Sequence, residues 1–474
     1  MMEALRFPWD DERRREVAPS AFRPRKSAAR GARGQVPMPA DRRDANRSRR
    51  PAATSYALTT GLPRPSGLPR TAARSGGHAT REVPRDRAAG RVVQGPRRER
   101  HEPDYVLLAV AVALSALGIL MVLSSTGHKA ALEQGSVFGA VTTQLGWGLV
   151  GGLVLLAAMR IDYRYWRSFS ILGMVVALVL LVLVLTPGVP PFLKPVEVNN
   201  ATRWLEIGSL PRFQPTEVAK LALVVFAAHW LTARGKQVGS FRHGLLPFSL
   251  LVGLIAVLVV LEPDLGTTGV LVLTAFSMFF VAGGSLLQML LLAPVGLAAL
   301  AGAVMMKPYM LERVEVFLDP FKYASDGGYQ TVRGLYSLAS GGITGKGLGV
   351  SQQPTGVMVP AAENDFIFAV IGQELGLIGG LVVIGLFLLL AWRGTRIAMH
   401  APDTFGGLLA LGITGWLTFQ AFINIAVVVK LIPMTGMPLP FLSDGGTSLV
   451  VALAAVGILL SISRETVSRG VIAH

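Results

Sequence analysis

From residue 104 onward, apolar residues come in long unbroken runs. They show neither the alternation of a strand nor the one-sided stripe of a soluble helix. Ten runs can be marked, at about 104–125, 138–159, 169–187, 216–233, 245–261, 265–282, 285–305, 366–391, 405–429 and 446–463. A helix needs about 20 mostly apolar residues to cross the hydrocarbon core. Backbone polar groups in lipid must be satisfied inside the segment, so each run is predicted to be a helix. The expected fold is an all-α integral membrane protein of about ten transmembrane helices, spanning 104–464, with a short cytoplasmic C-terminus at 465–474. Two connections, 188–215 and 306–365, are long enough to carry function.

Composition changes the picture at one end only. The chain has 474 residues, 51% of them hydrophobic, and no cysteine, so disulfides and thiolate metal sites are excluded. Its net charge of +16 is concentrated in residues 1–103, which hold 24 Arg and Lys against 11 Asp and Glu. Such a segment cannot bury enough apolar surface to offset its chain entropy, and it is expected to be a disordered basic tail. It has almost no interleaved aromatics and no folded motif, so membrane lipids, not nucleic acid, are its expected partner. Basic residues also mark alternate connections: Arg160, Arg164 and Arg167; Arg234, Lys236 and Arg242; Arg393 and Arg396; Arg464 and Arg469. With ten spans these fall on one side, which puts both termini in the cytoplasm and 306–365 outside. The two halves show no repeat of the kind an inverted-repeat transporter would carry.

Four stretches could carry chemistry. Asp365 precedes the eighth run, beside Glu363 and Asn364. It is either an N-cap, where a carboxylate suits the helix dipole, or part of a site. Glu217 and Lys220 lie three apart on the fourth run, downstream of Arg203. They either neutralise each other or line a cavity that opens outward. Glu262-Pro263-Asp264 is a short outer connection, readable as a solvated turn. In 431–448, Pro433, Pro438 and Pro440 break the helix before the last run. Irregular backbone at that depth must pack on protein or line a water-filled cavity. Glu374, inside the eighth run and about 13 Å along it from Asp365, faces the opposite way and needs a buried partner. The glycines of 340–349 permit positive φ and close backbone approach, and do not form a phosphate loop.

These residues resemble a known family. Ala-Thr-Arg-Trp-Leu-Glu-Ile-Gly (201–208), Phe-Gln-Pro-Thr-Glu-Val-Ala-Lys (213–220), Glu-Pro-Asp-Leu-Gly-Thr (262–267), Gly-Gly-Tyr-Gln (327–330), Gly-Lys-Gly-Leu-Gly (345–349), Asn-Asp-Phe-Ile-Phe (364–368) and the run 433–448 follow the order of the SEDS proteins, whose members include FtsW and RodA. The resemblance covers about 104–464. Residues 118–126 and 371–376 look more like the FtsW branch. Glu363-Asn364-Asp365 stands where many members read His-Thr-Asp, and Asp444 where Tyr or Ala is commoner.

The resemblance implies a peptidoglycan glycosyltransferase of the bacterial plasma membrane. It would polymerise lipid II beside a class B penicillin-binding protein, in cell division or cell-shape maintenance. Asp365 matches the family's essential carboxylate. Arg203, Glu217, Lys220 and Asn364 are the expected substrate-binding residues. A divalent cation, Mg or Mn, is the candidate cofactor, and Asp365 could be a base or hold that cation. A lipid II flippase and a non-catalytic scaffold for a transpeptidase are the competing readings.

Overall fold

The computed structural model describes residues 101–134, 138–186, 193–198, 201–208, 212–352, 357, 359–360 and 362–465. The expected tail, up to residue 100, and residues 466–474 lie outside the described residues. In chain order the elements are α1 (Tyr105–Gln134), α2 (Phe138–Arg160), α3 (Arg164–Leu185), β1 (Leu193–Val198), β2 (Ala201–Ile207), α4 (Pro215–Arg234), α5 (Leu246–Leu261), α6 (Leu265–Val281), α7 (Leu286–Met306), α8 (Pro308–Leu318), α9 (Tyr329–Gly341), α10 (Ile367–Met399), α11 (Thr404–Val428) and α12 (Gly446–Ser463).

Among the described residues, nine helices are long and apolar enough to cross a membrane. The sixth predicted run is a shorter apolar helix, α6, of 17 residues. Together they occupy all ten predicted positions. Starts follow local chemistry. Pro215 opens α4, where its missing N–H costs nothing. Asp264 and Asp403 cap α6 and α11 by accepting from the backbone N–H of Thr267 and Gly406.

The connections hold structure that apolar runs do not announce. Strands β1 and β2 pair antiparallel within 188–215, and the helices α8 and α9 lie in the long connection before Asp365. Helices α4, α11 and α12 are the most buried of the bundle. Helix α12 packs chiefly on α2, α10 on α11, and α3 on α4. Helix α7 has no buried residue among its described positions.

The basic connections around Arg164 and Arg393 and the C-terminal end of α12 meet at one end. Arg393 pairs with Asp104 at 2.6 Å and Arg164 with Glu465 at 2.8 Å, while the Tyr163 hydroxyl donates to Asp403 at 2.5 Å. Asp365 precedes the start of α10 and Arg393 lies near its finish, so the carboxylate belongs to the opposite end.

Helix α10 is two helices joined at Gly376, whose φ of 69° and ψ of −165° are not helical. A break strands backbone groups that the helix would otherwise pair. The glycine-rich connection supplies partners. Lys346 and Gly347 donate to the carbonyls of Gln373 and Glu374, while Leu377 and Ile378 donate to those of Gly342 and Ile343. Gly345, at φ 82°, lies so close that a Cβ would overlap the Glu374 carbonyl. The Glu374 side chain is buried as expected, accepting from the hydroxyls of Ser124 and Ser351 at 2.6 Å each. Gly345→Ala should therefore destabilise the protein by about 2 kcal/mol or more, through a strained φ and an overlap. Gly296→Ala, in the middle of α7 with open space around it, should be neutral or gain up to about 1 kcal/mol. Thermal melts of the two purified variants check the contrast.

Candidate functional site

Four separate pieces of chain meet at Gly436. A Cβ built on this glycine, which has φ 70°, would stand 3.5 Å from Arg203 Nη1, 3.5 Å from Asp365 Oδ2 and 3.6 Å from Arg313 Nη2. The three charged atoms are thus within about 7 Å of one another, a range where charges couple strongly away from bulk water. Arg203 comes from β2, Arg313 from α8, Asp365 from the turn before α10, and Gly436 from the proline-broken segment.

Each guanidinium is held by backbone carbonyls. Arg203 donates from Nε to Glu262 at 3.0 Å and from Nη2 to Pro263. Arg313 donates from Nη1 to Met434 at 3.0 Å. Asp365 does not cap α10. Phe366 occupies that position, and no side chain caps the helix. The aspartate is partly exposed, so a ligand can reach it. Enclosure by protein is still the largest influence on its carboxyl, pushing it up to about 6 against the pull of Arg203 and Arg313, with Asp264 pushing the same way as burial.

The Glu-Pro-Asp connection is not a solvated turn. Glu262 and Asp264 are both buried. Asp264 accepts from the Thr267 amide at 2.9 Å and hydroxyl at 2.8 Å. Burial first, then the Asp264 charge, raises the Glu262 carboxyl to about 9, with Arg203 opposing. Glu262 is therefore a neutral acid at pH 7. A carboxyl whose folded pKa lies above its ordinary 4.5 loses stability as pH rises between the two values, since the folded state must give up a proton it prefers to keep. Glu262→Gln copies the neutral form and should flatten the fall of melting temperature between pH 5 and 9.

The proline-broken segment is packed on protein, as one of its two readings required. Its carbonyls are held by side chains: Met434 by Arg313, Met437 by Asn424 at 2.7 Å, and Pro438 by Gln420 at 2.9 Å. Three consecutive carbonyls at 363–365 are held in turn. Glu363 accepts from the Asp444 amide, Asn364 from the Ser443 hydroxyl, and Asp365 from Asn424 at 2.9 Å. This accounting is what irregular backbone away from water demands.

The structure thus brings Arg203 and Asp365 together, with Asn364 next to them and exposed. Glu217 and Lys220 stand in a buried network of their own. Lys220 Nζ lies 2.9 Å from Glu217 and 2.7 Å from Gln420, over the Trp416 ring. That network reaches the segment through Gln420. Sequence reasoning missed Arg313, Gln420 and Asn424. Two amides four apart in an otherwise apolar run were the available signal, because a polar group there must have a partner. Among the described residues, no three His, Asp or Glu gather in a way that could hold a metal.

Comparison with known proteins bears on residues 104–468, which match the family model FTSW_RODA_SPOVE, described as "Cell cycle protein". Stage V sporulation protein E of Bacillus subtilis is 39% identical over 77% of this chain and 98% of its own length. A probable peptidoglycan glycosyltransferase FtsW of Trichlorobacter lovleyi is 40% identical over 76% of this chain and 93% of its own. Among solved structures, a chain of a peptidoglycan synthase complex that coordinates polymerization and crosslinking superposes with a TM-score of 0.63, at 28% identity, over 77% of this chain and 98% of that one. The rod shape determining protein RodA of Thermus thermophilus does so at 0.56 and 26% identity, over 77% and 98%.

Proposed function

We propose a reaction for this site from one premise: the chain belongs to the FtsW, RodA and SpoVE family of cell cycle proteins. It is a multi-span membrane protein and a peptidoglycan glycosyltransferase acting in cell division or cell shape. The substrate we assign is lipid II, a disaccharide-pentapeptide on undecaprenyl pyrophosphate. The convergence of Asp365, Arg203 and Arg313 at Gly436 carries the assignment. A hydroxyl is a poor nucleophile at neutral pH, and a carboxylate within reach can take its proton as the new bond forms. In our reading the acceptor GlcNAc 4-hydroxyl attacks C1 of the donor MurNAc. The C1–O bond to pyrophosphate breaks, that electron pair leaves with undecaprenyl pyrophosphate, C1 inverts, and the hydroxyl proton passes to Asp365. Two guanidiniums beside the carboxylate suit a pyrophosphate, whose oxygens match their fork geometry. Asn364, exposed beside Asp365, is the candidate for contact with the sugar.

Lys220 and Glu217 then act on the substrate at a remove, by fixing the segment through Gln420. The surroundings of Asp365 do not make a cage for Mg or Mn. Two guanidiniums flank it, and the neighbouring Asp264 is engaged by Thr267. The partner we assign is a class B penicillin-binding protein, in keeping with the synthase complex among the structural neighbours. The membrane we assign is the bacterial plasma membrane, with the arginine-rich end cytoplasmic and the Gly436 site outside. Purified chain, alone and with its transpeptidase, should turn lipid II into glycan polymer. Lipid II crossing a liposome bilayer without polymer would mark a flippase, and neither result would leave a scaffold.

A further inference from the structure

We propose that Asn424 is the positioning residue of this glycosyltransferase, setting the catalytic carboxylate against the opposite wall of the site. The inference rests on the reading of Asp365 as the base. Asn424 is buried in α11, and one amide nitrogen serves two walls: it donates to the Asp365 carbonyl at 2.9 Å and to the Met437 carbonyl at 2.7 Å. Met437 follows Gly436, the point at which Asp365 Oδ2, Arg203 Nη1 and Arg313 Nη2 converge. A single rigid amide thus ties the residue that carries the base to the neighbour of the glycine at which the three charges converge.

The neighbouring contacts divide the labour. Gln420, one turn earlier on α11, holds Pro438 and receives Lys220 and Trp416, so it fixes the segment to the bundle. Ser443 and the Asp444 amide hold the carbonyls of Asn364 and Glu363. Asn424 bonds to Asp365 and to the segment at once. The amide has no freedom to reach both carbonyls from elsewhere. Its side chain has two rotatable bonds, and both hydrogens of its nitrogen are engaged. A shift of about 1 Å between base and acceptor can cost about 100-fold in rate while leaving binding groups in place. The expected signature is therefore a loss in kcat, not in KM.

The test uses full-length chain in its complex with the transpeptidase, with lipid II as the probe. Asn424→Leu keeps the volume and removes both donors. Per folded, partner-bound molecule it should lower kcat by about 10- to 100-fold and leave KM for lipid II within about threefold, while two stranded carbonyls lower the yield of folded protein. Wild-type kcat, or a fall in kcat that only tracks the amount of folded protein, overturns the proposal. Should Asn424→Leu fail to accumulate, Asn424→Gln is measured instead, since it keeps both donors on an arm one methylene longer. A lowered kcat at unchanged KM then supports positioning, and wild-type kcat overturns it, because satisfying buried carbonyls alone does not require an exact reach. Asp365→Asn is run in parallel. If that variant polymerises normally, the base reading fails. If it is dead while the Asn424 variants are normal, only the present inference fails.

Discussion

Asp365→Asn is expected to give a protein that is made, inserted and bound to its transpeptidase, yet polymerises lipid II about 10²–10⁴-fold more slowly than wild type. The change keeps the shape and removes only the proton acceptor and the charge. Capping cannot account for a loss, because Phe366 stands at the start of α10 and no side chain caps it. The backbone around Asp365 is held through its carbonyl by Asn424, and that bond survives the substitution. The wild-type rate should itself report the carboxyl. With its pKa raised to about 6, the acting carboxylate is mostly present at pH 7 and lost as pH falls through that value. Single-turnover rates between pH 5 and 8 should rise along this limb for wild type, and the limb should be missing from the residual activity of the variant. Normal polymerisation by Asp365→Asn would leave this carboxylate without a chemical role.

Arg313→Gln should cost about 10²–10³-fold, and the loss should fall on kcat more than on KM. The guanidinium stands 3.6 Å from the point where Asp365 and Arg203 also meet, and charge grows on the pyrophosphate as its bond to the sugar breaks. An interaction that strengthens as charge develops lowers the barrier, whereas one already complete in the bound substrate does not. Arg313→Lys keeps the charge and loses the fork, so it should recover only a small part of the rate. Recovery of full activity by lysine would reduce Arg313 to a point charge. Unchanged activity in both variants would place the pyrophosphate elsewhere.

The sequence carried the bundle well, because lipid imposes one rule on every span and apolar runs obey it visibly. Among the described residues, the ten runs became nine helices long enough to cross and the shorter α6. What it hid were departures from that rule. The break at Gly376 lies inside an apolar run, where nothing but a glycine among several marks it. The hairpin of β1 and β2 lies in a connection read only as long. The site was half legible. Asp365 is a charge at the head of an apolar run and Arg203 stands in a motif of the resemblance, so both drew notice. Arg313 sits on an amphipathic helix among ordinary surface charges, and only folding carries it to Gly436. Glu262 and Asp264 looked like the charges of a wet turn, because burial is a property of what packs above them. For Glu217 and Lys220, spacing gave the ion pair, but the third partner, Gln420, is 200 positions from Lys220.

The joint at Gly376 divides a membrane-length shaft from the short segment that carries the base. Residues 377–399 form a shaft of about 34 Å at 1.5 Å per residue, long enough to cross the hydrocarbon core. The short segment before the joint carries the base at its head. Both sides of the joint are fastened to the glycine-rich connection, at Gln373 and Glu374 before it and at Leu377 and Ile378 after it, and the head is tied through Asn424 to α11. The angle between shaft and head is therefore set by that clamp, which leaves no room for a side chain at Gly376 between Gly345 and Ile343.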